Sequence, residues 1–301
     1  MGFSSMDDLV NEITNNGKFY RADWMKTTGA AAYTAGHWYD LSQIAGLPVA
    51  NTYAGTALNA QVPDEASSWT LYHGGNVSSD TKHLLNMAAM TAVATGVPGA
   101  LMLVDYCLYY PGIDTRVTTA QTLVNTNTLT RYTDGKGLRA FMPYTTVTGT
   151  PAATPVLTMS YTREDTGGTD TGRSLGAVTN FSAGSAALTI IPKIGHSGVA
   201  ANNYGPFLPL GGGDAGIRSV QSVQFTTAHT GTSILAALVL CKPLAFIPLT
   251  TVSVAAERDL VNQLPSLPQI RDGAALNWLY FAGAATGAST NFYGSLEFGW
   301  G

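Results

Sequence analysis

The sequence predicts a mainly β fold, a jelly-roll-like β-sandwich that carries a few short helices. Short runs rich in Val, Thr and aromatic residues alternate with connections rich in Gly and Pro, which is typical of sandwiches. Charged residues make up only 11% of the 301, against about 25% in an ordinary globular domain. Neutral Thr, Ser and Asn supply the missing polarity. No fixed-period repeat occurs, so neither a solenoid nor a propeller is predicted.

The most apolar run, Ala100–Tyr110, predicts the central strand. Its apolar residues are continuous rather than alternating, and Pro111-Gly112 ends it. This pattern indicates a strand that is covered on both faces. A long polar stretch follows from Asp114 to Thr130, and the next strand is predicted at Leu138–Val147.

Further strands are predicted where short apolar or β-branched runs lie between turn residues. They are His37–Leu41, Trp69–Tyr72, Val156–Thr162, Ala186–Ile191, Ile217–Thr226, Ile234–Leu240 and Asn291–Trp300. The strands Ile217–Thr226 and Ile234–Leu240 are expected to pair directly across residues 227–232. In the last strand Phe292, Leu296 and Phe298 share one face.

Three helices are predicted. Ser5 and Asp8 form a capping-box pattern, and Met6, Leu9, Val10 and Ile13 then give an amphipathic N-terminal helix that ends near Gly17. A second helix is expected from Ser78 or Ser79 to about Val93. A third is expected at Glu257–Leu264, before Pro265.

The chain divides into an N-terminal helix and arm, residues 1–35, and a β-sandwich body, residues 36–301. A crossover or sub-domain boundary is predicted near residues 149–156. This segment contains Pro151 and Pro155 between small residues, a composition typical of linkers.

Composition excludes several functional classes. The net charge is −4 and no Lys/Arg run occurs, so direct nucleic-acid binding is not expected. The N-terminus lacks a signal-peptide pattern, and the apolar run Ile234–Leu249 is interrupted by Lys242 and Pro243, so no membrane association is expected. Cys107 and Cys241 lie in apolar runs, which indicates buried thiols and not a disulfide framework.

Two catalytic motifs occur without their structural context. Residues 172–176 match G-x-S-x-G, but neither the required strand before it nor the helix after it is predicted. Residues 211–216 match G-x-G-x-x-G, yet a dinucleotide site needs a strand–turn–helix unit. We therefore interpret both as turns, with no catalytic residue and no bound cofactor.

The remaining titratable residues do not indicate a catalytic reaction. The five histidines show no metal-ligand spacing, so no metal site is predicted. A glycosidase with a pair of catalytic carboxylates is an alternative, because β-sandwiches often bind sugars. The carboxylates available for it sit in turn contexts: Asp105, Asp114, Asp134, Asp165, Asp170 and Asp214.

The polar stretch from Asp114 to Gly137 is the predicted functional segment. A loop of this length is usually functional or disordered, and it contains no nucleophile, base or ligand cluster, so we predict contact with a neighbouring subunit. Arg131 and Asp134 are expected to pair and pin the loop. We expect deletion of 118–128 to spare folding. The candidate contact residues are Thr118, Thr119, Gln121, Asn125, Asn127, Arg131, Tyr132 and Asp134.

Several stretches are similar to tailed-bacteriophage structural proteins. These are His37–Ser42 with Gly46–Pro48, Val104–Tyr106 with Tyr109–Pro111, Arg131–Gly135, Gly216–Val220, Lys242–Ala245 and Gly299–Gly301. The resemblance implies a non-enzymatic virion protein of the head, a capsid cement or decoration subunit assembled in the host cytoplasm. It also implies two partners, the major capsid protein and copies of this chain in a homotrimer, and no small-molecule substrate.

Two alternatives stay open. A tail, neck or fibre component would bind a host receptor or glycan. A carbohydrate-active β-sandwich enzyme or lectin would stack sugar rings on exposed tryptophans, although core packing is the usual role of that side chain. The tryptophans considered are Trp38, Trp69, Trp278 and Trp300.

Overall fold

The computed structural model describes residues 2–28, 33–148, 157–164, 173–174, 190–191, 205–229, 231–261 and 267–301. Within these ranges the chain forms one α-helix, α1 (Met6–Thr14), and sixteen β-strands. The first eight strands are β1 (Phe19–Thr27), β2 (His37–Asp40), β3 (Gly46–Leu47), β4 (Lys82–Thr91), β5 (Gly99–Asp114), β6 (Gln121–Thr122), β7 (Arg139–Thr148) and β8 (Leu157–Arg163). The others are β9 (Arg173–Ser174), β10 (Ile190–Ile191), β11 (Ile217–Phe225), β12 (Ser233–Leu249), β13 (Ala256–Asp259), β14 (Gln269–Ile270), β15 (Leu276–Ala282) and β16 (Asn291–Trp300).

The strands form three sheets. The first has the order β13-β4-β16-β1-β3, with β14 also paired to β4. The second has the order β10-β7-β12-β5-β15-β2, and the third β6-β11-β8-β9. The pairings between these strands are antiparallel. The prediction of a mainly β sandwich with a short N-terminal helix is confirmed.

Strand β5 contributes to all three hydrophobic cores. Leu101 and Leu103 pack in the core between the first and second sheets. Leu108 and Tyr110 pack in the core between the second and third sheets, and Tyr106 lies in a third cluster with residues from the connecting loops. Because both faces of this strand are covered, its sequence is continuously apolar. The prediction of a strand covered on both faces at Ala100–Tyr110 is confirmed. Its predicted end at Pro111-Gly112 is wrong, because β5 continues through these residues to Asp114.

Strand β12 is longer than its sequence predicts, because it runs on through two prolines to Leu249. Its pairing with β5 shifts register between Pro243 and Ala245. A bulge at this point accommodates a residue that cannot donate a backbone hydrogen bond. The predicted direct pairing of Ile217–Thr226 with Ile234–Leu240 is wrong. Strand β11 pairs with β6 and β8, whereas β12 pairs with β5 and β7.

The predicted second helix is wrong. Its segment forms β4, which lies between β16 and β13. Leu84, Met87 and Ala89 are buried in the core between the first and second sheets. Small and apolar residues at this spacing satisfy either a helix or a strand, and pairing with the distant β16 decides between them.

Two further predictions need correction. Residues 257–259 of the predicted third helix belong to the edge strand β13, and residues 262–264 lie outside the described part. The stretch Trp69–Tyr72 is not a strand, since Leu71 makes only an isolated bridge to Leu276.

The N-terminal helix is confirmed. The Ser5 hydroxyl accepts a hydrogen bond from the Asp8 amide at 3.0 Å, which satisfies one free amide of the first turn. The chain leaves the helix through Gly17, whose φ is +65°. Only Leu9 of the predicted apolar face is buried, whereas Met6 and Val10 are more than half exposed.

The division at residue 35 stays a prediction, but the sequence analysis missed β1. This strand pairs with β16 over its whole length and with β3 on its other side. Residues 19–27 are therefore part of the first sheet. The predicted crossover near 149–156 lies outside the described residues.

Candidate contact site

The contact loop, residues 115–137, connects the end of β5 to β7. Its first part is fixed to the body by Gln121. The Gln121 side chain accepts from the Asp114 amide at 3.0 Å and donates to the Asp114 carbonyl at 2.8 Å. Residues 121–122 also pair with β11 as β6. The beginning of the loop therefore extends the third sheet.

The middle of the contact loop is held by two asparagines. Asn125 donates to the Val220 carbonyl at 2.9 Å and accepts from the Tyr110 hydroxyl at 2.6 Å. Asn127 donates to the Ala60 carbonyl at 2.7 Å. Because each bond joins the loop to a different segment, the backbone between them has little freedom.

The contact loop also contributes to the hydrophobic core. Leu123 and Leu129 are 3% and 7% exposed and belong to the core between the second and third sheets. Deleting residues 118–128 would remove β6 together with Leu123. The structure thus contradicts the expectation that such a deletion would spare folding.

Arg131 is the strongest anchor of the loop. Its guanidinium donates to both carboxylate oxygens of Asp105, at 2.9 and 3.1 Å, and to the Pro63 and Tyr106 carbonyls. Asp105 also accepts the Ala275 amide at 2.9 Å. Arg131 is 6% and Asp105 0% exposed. Removing one partner would leave a buried charge uncompensated.

The predicted pair of Arg131 with Asp134 is therefore wrong. The Asp134 carboxylate instead accepts the Lys136 amide at 3.1 Å and lies 3.9 Å from the Lys136 ammonium. Both of these side chains are about half exposed or more. The sequence signal that was missed is Asp105 itself, a lone charge within the apolar run of β5.

Tyr132 follows Arg131 and contacts two cations instead of a carboxylate. Its φ is +50°, a left-handed conformation that is uncommon outside glycine. Lys242 lies 5.6 Å and Arg271 5.7 Å from the ring centroid. Burial raises the pKa of the Tyr132 hydroxyl, and that hydroxyl has no hydrogen-bond partner in the described part of the chain.

The predicted contact residues thus separate into two groups. Gln121, Asn125, Asn127 and Arg131 bind the body through their side chains. Thr118, Thr119 and Asp134 are exposed, and Tyr132 is half-buried. Whether any of them meets a neighbouring subunit stays a prediction.

Between Arg116 and Arg131 the outer side of the loop is exposed and uncharged. No charged residue lies between Arg116 and Arg131. We call the exposed Thr, Ala and Val side chains of this stretch the neutral surface: Thr118, Thr119, Ala120, Thr122, Val124, Thr126, Thr128 and Thr130. A cleft of about 400 Å³ adjoins it and is lined by Asn125, Thr128, Thr133 and Arg218 among others.

Other buried charges fix other loops in the same way. Lys26 is fully buried and donates to the carbonyls of Ile44, Pro48 and Val49 at 3.2, 2.8 and 3.4 Å. Burial lowers its pKa to about 8, and the more distant Asp40 opposes that change. The ammonium therefore holds the segment after β2 against β1.

Lys82 and His73 form a second buried anchor. The Lys82 ammonium donates to the His73 carbonyl at 2.8 Å and the Gly75 carbonyl at 2.5 Å, and it contacts His73 Nδ1 at 3.0 Å. Burial lowers the pKa of Lys82 to about 8. Burial and the Lys82 charge lower the pKa of His73 to about 4. Neutral His73 can accept from the ammonium.

Asp40 binds two tyrosines. Its carboxylate accepts from the Tyr53 hydroxyl at 2.6 Å, the Tyr106 hydroxyl at 2.5 Å and the Ser42 amide at 3.0 Å. Burial raises the pKa of Asp40, against these hydrogen bonds. The group is fully enclosed, so it acts as a link between loops and not as a group that meets substrate.

Each candidate carboxylate for glycoside hydrolysis that the structure describes has a structural partner. Asp105 binds Arg131, and Asp114 binds Arg116 at 2.7 Å. Asp214 accepts from the Tyr161 hydroxyl at 2.5 Å. Residues 165 and 170 lie outside the described ranges. Across the described residues no three His, Cys, Asp or Glu side chains are grouped to hold a metal ion.

The two glycine motifs have different outcomes. Of residues 172–176 only Arg173–Ser174 are described, as β9 paired to β8, and the rest of the motif lies outside the described residues. Residues 211–216 form a turn, as predicted: Gly213 has φ +86° and the Asp214 amide donates to the Gly211 carbonyl at 3.1 Å.

The tryptophans considered for sugar stacking are mostly core residues. Trp38, Trp69 and Trp278 are 4%, 9% and 0% exposed, and Lys82 lies over the partly buried Trp300 ring at 5.1 Å. Cys107 and Cys241 are buried free thiols, as predicted. None of the helices in the described ranges has the length and apolar character needed to cross a membrane.

Comparison with known proteins finds little. No protein-family model matches the chain, and no curated protein matches it. Among solved structures it is weakly similar to the VP2 subviral particle of infectious bursal disease virus, a viral capsid protein. The identity is 9%, the TM-score 0.17, and the match covers 96% of this chain and 85% of that one. A TM-score this low does not establish a shared fold.

Proposed function

We propose that the protein is a non-enzymatic structural subunit of a bacteriophage virion that binds the major capsid protein as a cement or decoration subunit. The observation that carries the proposal is the neutral surface of the contact loop. Its outer face is exposed and uncharged, while its inner face is fixed by hydrogen bonds and core residues.

A surface of this kind suits permanent binding to another protein. The backbone is already ordered, so binding loses little conformational entropy. Burying uncharged threonines avoids the cost of removing charges from water. Hydroxyl and amide groups can still form hydrogen bonds across the interface.

Self-association into a homotrimer has a candidate surface at the edge of the first sheet. Met25 and Leu47 are opposite one another in the β1–β3 pair, and with Val49 they are 44%, 62% and 51% exposed. A short, apolar edge strand is a typical site of association. We propose that a second copy of the chain covers it.

The first test counts copies of the chain in purified particles by quantitative mass spectrometry. Hundreds of copies per particle would support the shell position. A few to a few dozen would favour the alternative, a tail, neck or fibre component. Absence from particles would remove both.

The second test changes the neutral surface alone. The double variant Thr118→Lys/Thr119→Lys places two charges on it, and we expect particle binding to fall at least tenfold. Thr250→Lys/Thr251→Lys is the matched control, because this Thr-Thr pair is also exposed and follows the far end of β12. Equal binding by both variants would contradict the proposed surface.

A further inference from the structure

A charged groove, the Tyr132 groove, lies where the contact loop meets β14 and the middle of β12. Two clefts of about 630 and 440 Å³ adjoin there. They share Tyr132, Asp134, Gln269 and Arg271 in their walls. The two clefts therefore form one groove with Tyr132 at its centre.

Two cations in this groove have no carboxylate partner among the described residues. Lys242 and Arg271 both lie over the Tyr132 ring, and neither forms an ion pair with a carboxylate in the described part of the chain. Lys242 donates to the Lys136 carbonyl at 3.2 Å. The ring holds both cations in place through its electron-rich face.

The acidic residues of the groove have partners of their own. Asp272 accepts the Val77 and Ser78 amides at 2.9 and 3.1 Å. Asp80 pairs with Lys18 at 2.8 Å, and Asp134 accepts the Lys136 amide. In a chain of net charge −4, the groove thus presents positive charge at Lys242 and Arg271.

We propose that the Tyr132 groove binds carboxylate side chains of an acidic peptide segment from a partner protein. Arg271 supplies a planar fork that fits a carboxylate with two hydrogen bonds, and Lys242 supplies a point charge beside it. Both cations lie within 5.7 Å of the centre of the Tyr132 ring. This site goes beyond the proposed function, which depends on the neutral surface.

A nucleic acid fits the same groove less well. The Tyr132 ring already carries two cations, so it is not open for stacking of a base. Asp80, Asp134 and Asp272 line the walls, and they would repel a continuous chain of phosphates. Separate carboxylates on a peptide can avoid these positions.

The test is fluorescence anisotropy of the full chain with a fluorescein-labelled peptide of alternating Glu and Ser. We expect saturable binding, and we expect Arg271→Gln/Lys242→Gln to raise the Kd at least tenfold. The control Arg21→Gln removes an exposed arginine on β1 and should change the Kd less than twofold. The same peptide with Gln in place of Glu should not bind.

Three outcomes would overturn the proposal. They are absence of binding to the acidic peptide, equal Kd values for the groove variant and the wild type, and tighter binding of an oligothymidylate that the same variant abolishes. Thr118→Lys/Thr119→Lys should leave peptide binding unchanged. Loss of particle binding and loss of peptide binding therefore report on the two proposals separately.

Discussion

The two sides of the contact loop differ in how they use polar groups. The inner side directs Asn125, Asn127 and Arg131 into the body, where each meets a specific partner. Between Arg116 and Arg131 the outer side carries exposed threonines and no charge. One loop therefore combines a rigid attachment with a surface that costs little to bury.

Buried charges on the strands fix other loops in a similar way. Lys26, Lys82 and Asp40 are buried and bind backbone carbonyls, a histidine or tyrosines. These buried charges thus position loops from within the body.

The largest expected effect comes from breaking the innermost anchor. Arg131→Met leaves Asp105 buried without its partner, so we expect the free energy of unfolding to fall by about 3–5 kcal/mol. Arg21→Met removes exposed ion pairs, and it should lower the free energy of unfolding by less than about 1 kcal/mol. Urea unfolding of the two variants measures the difference. Similar losses would mean that the Asp105 pair is not an anchor.

Neighbouring residues on opposite sides of the loop give a second comparison. Leu123→Ala opens a cavity in the core, and we expect the free energy of unfolding to fall by about 2–5 kcal/mol. Val124 is 47% exposed, so Val124→Ala should change the stability by no more than about 0.5 kcal/mol. Thermal and urea unfolding test this. Equal effects would show that the loop is not ordered in solution.

The buried lysines predict a pH dependence of stability. The pKa of folded Lys26 is about 8, against about 10.4 in an unfolded chain. Between these values the unfolded chain binds more protons, so stability rises with pH. One lysine contributes at most about 1.4 kcal/mol per pH unit.

Above about pH 10 the buried tyrosines reverse this trend. Burial raises the pKa of Tyr110 to about 12, so the folded chain keeps a proton that the unfolded chain loses, and stability falls. Urea midpoints from pH 7 to 11 should therefore pass through a maximum. Lys26→Met should make the rising part less steep, and the remaining rise comes from Lys82, whose pKa burial also lowers to about 8. The exposed Lys136→Met should leave the rise unchanged. A rise that is equally steep in Lys26→Met and in the wild type would assign it elsewhere.

The smallest effect on stability belongs to the outer side of the loop. Thr118→Lys/Thr119→Lys should shift the free energy of unfolding by no more than about 0.5 kcal/mol, because both side chains are exposed. Its Tm should match that of Thr250→Lys/Thr251→Lys. A large loss would mean that these threonines support the fold, and the particle-binding test would then need other positions.

Local patterns determined several elements before any tertiary contact. The capping residues Ser5 and Asp8 specify the start of α1, and the continuous apolar run Ala100–Tyr110 specifies the buried strand β5. Alternation in the last strand specifies which side of β16 is buried. Each of these signals acts between residues that are close in sequence.

Only the tertiary structure decided the elements that depend on distant partners. The segment of β4 is ambiguous by pattern and becomes a strand through β16, about two hundred residues further on. Asp134 lies only three residues from Arg131 in the sequence, yet Arg131 binds Asp105. Both Arg131 and Asp105 are buried, and a buried charge needs a partner of opposite charge. The neutral character of the contact loop was readable from its composition, but which of its residues face inward was not. Contacts with distant strands and loops decide which side chains face inward. They separate the anchoring residues Asn125, Asn127 and Arg131 from the neutral surface.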